Sequence, residues 1–390
     1  MVGTPPDPTT AERLLSLPFV ALGLSSLFYY FALALTTTVL PIYVVDVLEG
    51  GGVAVGVAMG SLGVAAVVAR LFVGTAGDTA GRRTLVVAGS LIAGMGMLLL
   101  TVAESVPVVA ACRLLTGAGE AAAAVGIATA MQDLVPANRR TEAAIYYALT
   151  LSVSFGAGAP VAEWLRPRVD FDFIWLAAAA ITAIATVLGL LAPAHRSSQA
   201  QYRFRPAIVR SSLGPALILF LAMISFSAFI AFVVLRGRDV GISQPGLAFS
   251  AYAAVSIVAR IGVGRFADRI GPRRLTTQAL ALTAVGLAVI GGWSTPTGVL
   301  VGAAVLGASH PLIFPATIAV AYARAGTEER TAAVATATMA LDAGIAVGAI
   351  AWGGAVSMSG LPAPFLLGAG LCALTILVAR RLLVETPSLT

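Results

Sequence analysis

Along these 390 residues, stretches of roughly 20 apolar residues recur, each parted from the next by a short polar turn. A helix rises about 1.5 Å per residue and the hydrocarbon core of a bilayer is about 30 Å thick, so each stretch reads as one membrane crossing. Twelve crossings fit: 18–40, 53–73, 84–103, 106–131, 142–165, 172–192, 213–235, 246–264, 275–293, 297–322, 332–357 and 361–383. Only 11% of the residues are charged, whereas a water-soluble domain carries about a quarter. The sequence predicts an all-α membrane protein. The first 17 residues are polar and proline-rich, without the charged start, apolar run and cleavage site of a removable signal peptide.

A repeat fixes the arrangement of these crossings. "ARLFVGTAGDTAG" from Ala69 returns as "ARIGVGRFADRIG" from Ala259, an offset of 190 residues. The same offset pairs Gly117–Ala118 with Gly307–Ala308, Arg140–Thr141 with Arg330–Thr331, and Gly158 with Gly348. Twelve transmembrane helices in two pseudo-symmetric six-helix bundles are therefore expected, with a substrate site between them near mid-membrane. The expected bundles span 1–192 and 213–390. Residues 193–212, with four arginines and no acid, form a linker at the arginine-rich surface.

All 24 basic residues are arginine. If the N-terminus is cytoplasmic, 17 of them fall on that face, from Arg13 to Arg381, and only Arg166, Arg168, Arg236 and Arg238 fall in the opposite loops. Arginine excess marks the cytoplasmic side, so both termini are expected there, in the plasma membrane of the cell. The net charge of +6 follows from this bias and calls for no nucleic-acid partner. Cys112 and Cys372 lie within spans and read as small packing residues.

The repeated cluster sits in the short loop after the second helix of each half. Gly74 and Gly264 permit close helix approach, and Gly81 and Gly271 can turn the chain with positive φ. Asp78 can face the positive N-terminus of a neighbouring helix, with Asp268 as its second-half equivalent. Arg82, next to Arg83, is within reach of Asp133 after the fourth helix, and Arg273 follows the second copy. Together they suggest a separable electrostatic latch; ordinary topology charge is the other reading.

At these residues the chain resembles the major facilitator superfamily of secondary transporters. "GTAGDTAGRR" has the form of its loop signature, loosened in the second copy by Pro272, and "RLLTGAGEA" from Arg113 that of its fourth-helix signature. The fifth-helix antiporter signature is incomplete, because "SFGAGAPVAEWL" has Ala159 before Pro160 and Glu163 in place of a later glycine. Within the superfamily the chain is similar to bacterial drug- and arabinose-efflux permeases. The resemblance implies that the loop cluster stabilises the outward-facing state. It also implies that the first and seventh helices line the cavity, which makes Tyr29, Tyr30 and Phe226 candidate cavity aromatics.

Ionisable side chains at bilayer depth cost at least ~2.5–3.5 kcal/mol each, so they commonly line a cavity or an ion path. Glu120 and Asp342 fall near mid-membrane, and Arg113 lies two turns before Glu120 on the same helix face. The repeat places His310 at the equivalent of Glu120, facing it across the pseudo-twofold axis. These four are the candidate substrate or proton-coupling residues. A structural pair with Arg113, a helix–helix hydrogen bond at Asp342 and a role for His310 beside Pro311 remain open as structural alternatives. Arg70 and Arg260 read as snorkelling or bracing residues.

Enzyme chemistry finds no footing. Without lysine there is no Walker loop, two histidines cannot build a His-Glu-x-x-His zinc site, and "GASHP" fails the Gly-x-Ser-x-Gly elbow. No cofactor or metal is expected. The predicted function is secondary active transport by alternating access, exporting a small amphipathic or cationic compound in exchange for protons. Uptake or facilitated diffusion of a sugar or organic acid is the alternative, as is a transporter-like receptor that moves nothing. The expected partners are a small-molecule substrate, protons and the lipid bilayer, with the chain acting as a monomer.

Overall fold

The computed structural model describes residues 16–136, 139–192, 209–264, 270–325 and 330–383. Among them are twelve long helices: α1 Leu17–Asp46, α2 Gly52–Ala80, α3 Arg82–Leu98, α4 Val106–Asp133, α5 Arg140–Leu165, α6 Phe171–Gly189, α7 Leu213–Asp239, α8 Leu247–Gly264, α9 Pro272–Gly292, α10 Pro296–Arg324, α11 Arg330–Ser359 and α12 Ala363–Leu382. Eleven are long and apolar enough to cross a membrane; the apolar part of α8 is shorter, Leu247–Gly262. The helices α1 and α2 run about two turns past the expected spans, because hydrocarbon thickness limits the apolar stretch and not the helix. Of the expected linker, residues 193–208 lie outside the described residues, and Arg210–Ser212 forms a 3-10 turn leading into α7.

Local chemistry sets several boundaries. The side chain of Ser16 accepts a hydrogen bond from the Phe19 backbone N–H, and that of Thr295 from the Gly298 N–H, capping α1 and α10. Prolines occupy the first turns of α1, α4, α9, α10 and α12, where the missing N–H has no intrahelical partner to lose. Gly81 (φ 92°) and Gly271 (φ 78°) turn the chain into α3 and α9 in a region that L side chains avoid.

The helix pairings repeat. In the first half α1 packs on α5 and α6, α4 on α2 and α3, and α3 on α6; adding six to each number gives the pairings of the second half. Small residues set the closest approaches. Gly117 of α4 presses on the Leu62 backbone of α2, and Gly307 of α10 on the Tyr252 backbone of α8, both pairs being related by the 190-residue offset. Likewise Gly96 meets Cys112 and Thr116, while Gly286 meets Gly302 and Leu306. In lipid such close approach replaces the hydrophobic drive that water supplies.

The halves meet through α2 with α11, α5 with α8, and α1 with α7. Along α2 the glycines 52, 56, 60 and 63 face α11 at helical spacing. A methyl group at Gly56 would lie 2.5 Å from the Ala349 carbonyl oxygen, at Gly60 2.8 Å from that of Ala346, and at Gly63 3.0 Å from that of Asp342. Between α5 and α8, the Ser250 hydroxyl donates to the Gly156 carbonyl at 2.6 Å. Arg238 at the end of α7 pairs with Asp46 at the end of α1, at 3.1 Å. These contacts lie toward the face opposite the arginine-rich loops, and they reach inward as far as Asp342.

Candidate functional site

At the inner limit of that contact, Arg70 of α2 is hydrogen-bonded through Nε to the Asp342 carboxylate of α11. Its Nη2 stands 3.7 Å from Glu120 of α4. One guanidinium thus serves two carboxyls, one from each half of the molecule. The side chains of Arg70, Glu120 and Asp342 are 16%, 13% and 9% exposed, so water screens the cluster little. Counted from the helix ends at the arginine-rich face, all three lie about 15–20 Å deep.

Tyrosines border this cluster. Tyr30 of α1 and Tyr147 of α5 share a hydrogen bond of 2.7 Å between their hydroxyls. Tyr29 packs edge-on against Tyr30 with ring centroids 5.2 Å apart. Its hydroxyl is buried without a hydrogen-bond partner among the described residues, and it interacts electrostatically with Glu120, Tyr147 and Arg113. Arg113 is only 2% exposed, and its Nε and Nη1 likewise have no partner there.

His310 belongs to a separate, aromatic cluster in the second half. Its ring stacks on Phe226 of α7 at a centroid distance of 3.5 Å, and its Nδ1 lies 3.0 Å from the Tyr252 hydroxyl of α8. Nε2 is buried without a partner among the described residues. Phe229 packs edge-on against Phe249 and at a tilt against Tyr252. The described contacts of Glu120 and His310 do not join the two: Glu120 faces an arginine from its own half, and His310 faces aromatics from its own.

The sequence singled out Glu120, Asp342, Arg113 and His310, and it passed over Arg70, read as a snorkelling or bracing residue. The structure corrects that reading. Arg70 lies only three residues inside the end of the apolar stretch at Val73, yet its guanidinium is engaged by Asp342 and stands close to Glu120 instead of snorkelling to the surface. The expected end of that span at 73 agrees with the structure, and what the sequence did not show is the approach of Asp342 from α11.

Of the loop residues, Arg82 Nε lies 3.5 Å from Asp133 Oδ2, with both side chains substantially exposed. Arg83 is half-buried, and Arg273 donates to the Arg380 carbonyl at 3.1 Å. Gly74 and Asp78 belong to the last turns of α2, and Gly264 ends α8, but their side-chain surroundings lie outside the described residues. Asp268 lies wholly outside them.

The sequence profile of the Major Facilitator Superfamily matches residues 22–214 and 215–390. The chain is 23% identical over 398 residues to the uncharacterised MFS-type transporter YhhS of Escherichia coli (strain K12), covering 98% of this chain and 97% of that protein. To the MFS-type transporter STM4428 of Salmonella typhimurium it is 25% identical over 322 residues, covering 79% and 81%. Among solved structures, the D323A mutant of the nucleoside transporter NupG superposes with a TM-score of 0.80 at 15% identity, covering 94% of this chain and all of that one. A POT family transporter in complex with a thioalcohol-conjugated peptide gives 0.79 at 12% identity, covering 95% and 96%. At such identities these two likenesses concern the fold alone.

Proposed function

Because the chain belongs to the Major Facilitator Superfamily and is a secondary transporter of that type, we propose that Arg70, Glu120 and Asp342 are its proton-coupling centre. The observation that carries this is the position of Arg70, held by a carboxyl from the other half and close to a second carboxyl from its own. With both acids ionised, Arg70 ties α2 to α11 and keeps the opposite face closed. A proton on Asp342 weakens that tie, Arg70 turns to Glu120, and the halves can part there. Alternating access then follows from rocking about the central site. The latch of Arg82 and Asp133 would act at the other face.

The cargo is a small amphipathic molecule bound between the halves, near Tyr29, Tyr30 and Phe226. Export in exchange for protons would require cargo and proton to compete for the same acids, as a cationic cargo would. Arg70 already supplies those acids with a cation, which weakens the case for exchange and favours the uptake reading, in which cargo and proton move together.

The test is proton flux in proteoliposomes enclosing a pH-sensitive dye, with compounds from a panel added outside. Co-transport acidifies the interior, exchange makes it alkaline, and facilitated diffusion of a neutral compound leaves pH unchanged. Glu120→Gln should abolish the pH change while the protein remains folded. If the variant moved protons at the normal rate, or if tracer flux occurred with no pH change, the coupling centre would be lost.

A further inference from the structure

Among the described residues, Arg113 has no partner that explains its place. A buried charge is tolerated when it is paired and hydrogen-bonded, and inside a membrane the cost of leaving it alone is higher still. Among the described residues at the centre there are three arginines, 70, 113 and 260, and two acids, Glu120 and Asp342. Both acids are taken by Arg70. Arg113 is left 2% exposed with Nε and Nη1 unpaired, and Arg260 also has an unpaired Nε.

The internal repeat shows that the fold itself has no need of this arginine. The equivalent of Arg113 in the second half is Ala303, fully buried; α1 and α7 correspond at an offset of 193, since Gly158 meets Phe31 and Ala34 as Gly348 meets Ile224 and Ser227, so the equivalent of Tyr29 is Ala222, also fully buried. The fold fills both positions with apolar side chains in one half, and with an unpartnered guanidinium and an unpartnered hydroxyl in the other. Both groups supply hydrogen-bond donors, and the helices that carry them, α1 and α4, are in contact.

We propose that Arg113 and Tyr29 form a seat for an anionic group of the cargo, a carboxylate, phosphonate or sulfonate carried on a small apolar body. A planar guanidinium binds such groups through two parallel hydrogen bonds, and the tyrosine hydroxyl adds a third donor. The seat rests on the transport reading for its location, but its occupation does not depend on proton coupling. It assigns the cargo a negative charge, opposite to the expectation drawn from the two buried acids.

The experiment is equilibrium binding to the purified full-length protein of five probes with one aromatic body. Benzoate, phenylphosphonate and benzenesulfonate are anionic, benzamide is neutral and benzylammonium is cationic. At least one anion should bind the parent more tightly than benzamide and benzylammonium, and Arg113→Gln should weaken it at least tenfold. Tyr29→Phe should weaken it less. A second measurement separates a seat from a structural role: replacing an unpaired buried charge by an apolar side chain relieves its burial cost, so Arg113→Met should raise Tm by about 2–4 °C while losing the anion. Failure of all three anions to bind the parent, tighter binding of benzylammonium, or a lowered Tm in Arg113→Met would each overturn the seat. Anion binding without any proton flux would leave the seat standing and remove the coupling centre instead.

Discussion

A guanidinium shared by carboxyls from two helices cannot give both the same geometry, and Arg70 lies against Asp342 while standing 3.7 Å from Glu120. The substitutions at this site are therefore unequal. Asp342→Asn leaves Arg70 with one acid, whereas Arg70→Gln leaves two buried acids with no cation. Removing one partner of a buried pair costs about 3–5 kcal/mol. Arg70→Gln should reach that range at pH 7.5 and Asp342→Asn should stay below it, as read from thermal unfolding in detergent. At pH 5 the gap should narrow, because carboxyls deprived of their arginine become neutral by taking up protons. Equal damage at both pH values would mean that Arg70 does not serve both acids. The sequence showed Glu120, Asp342 and Arg113 plainly, since a charge in an apolar stretch stands out wherever the stretch ends. Arg70 was hidden because its importance depends on the approach of α11, whose Asp342 is 272 residues away in the chain.

Helices as units were far more legible, because the bilayer fixes their apolar length and the 190-residue offset fixes their order. What the sequence could not give was the partner of each small-residue face. The glycines 52, 56, 60 and 63 share one face of α2, and only the structure shows that this face meets α11 and not a neighbour in the same half. A helix contact without room for a methyl group is sensitive to volume. Gly56→Val would drive a side chain into the Ala349 carbonyl and part α2 from α11 near the opposite face. The reporter is Ala346→Cys, which faces Gly60 and Gly63, in a protein whose buried, unpaired Cys112 and Cys372 are changed to alanine. A membrane-impermeant maleimide should label this cysteine slowly in the parent and several-fold faster with Gly56→Val. Unchanged labelling would show that α2 and α11 do not form the barrier at that face.

At the scale of the whole molecule, the contacts between halves gather toward one face, and the charged centre lies where they end. Parting the halves at that face must separate Arg70 from Asp342, so the proposed proton site and the barrier share atoms. The anion seat is joined to the same centre by electrostatics. Arg113 lies seven residues from Glu120 on α4, about 10 Å along the axis, and at an effective dielectric constant near 20 a unit charge at that distance contributes about 1.7 kcal/mol. Glu120 is itself faced by Arg70 from α2, Asp342 from α11, and Tyr29, Tyr30 and Tyr147 from α1 and α5. A proton on Glu120 removes a negative charge that repels an anion at Arg113, so falling pH must tighten anion binding, and a bound anion must by the same amount favour the proton. Benzoate stays ionised at pH 6, and its affinity should rise about ten- to twentyfold as Glu120 passes from fully ionised to protonated, with no such rise in Glu120→Gln. On the proposed seat and coupling centre, mutual assistance of this sign would make anion and proton travel together. A benzoate affinity that falls with pH in the parent would place the two in competition and restore exchange as the working direction.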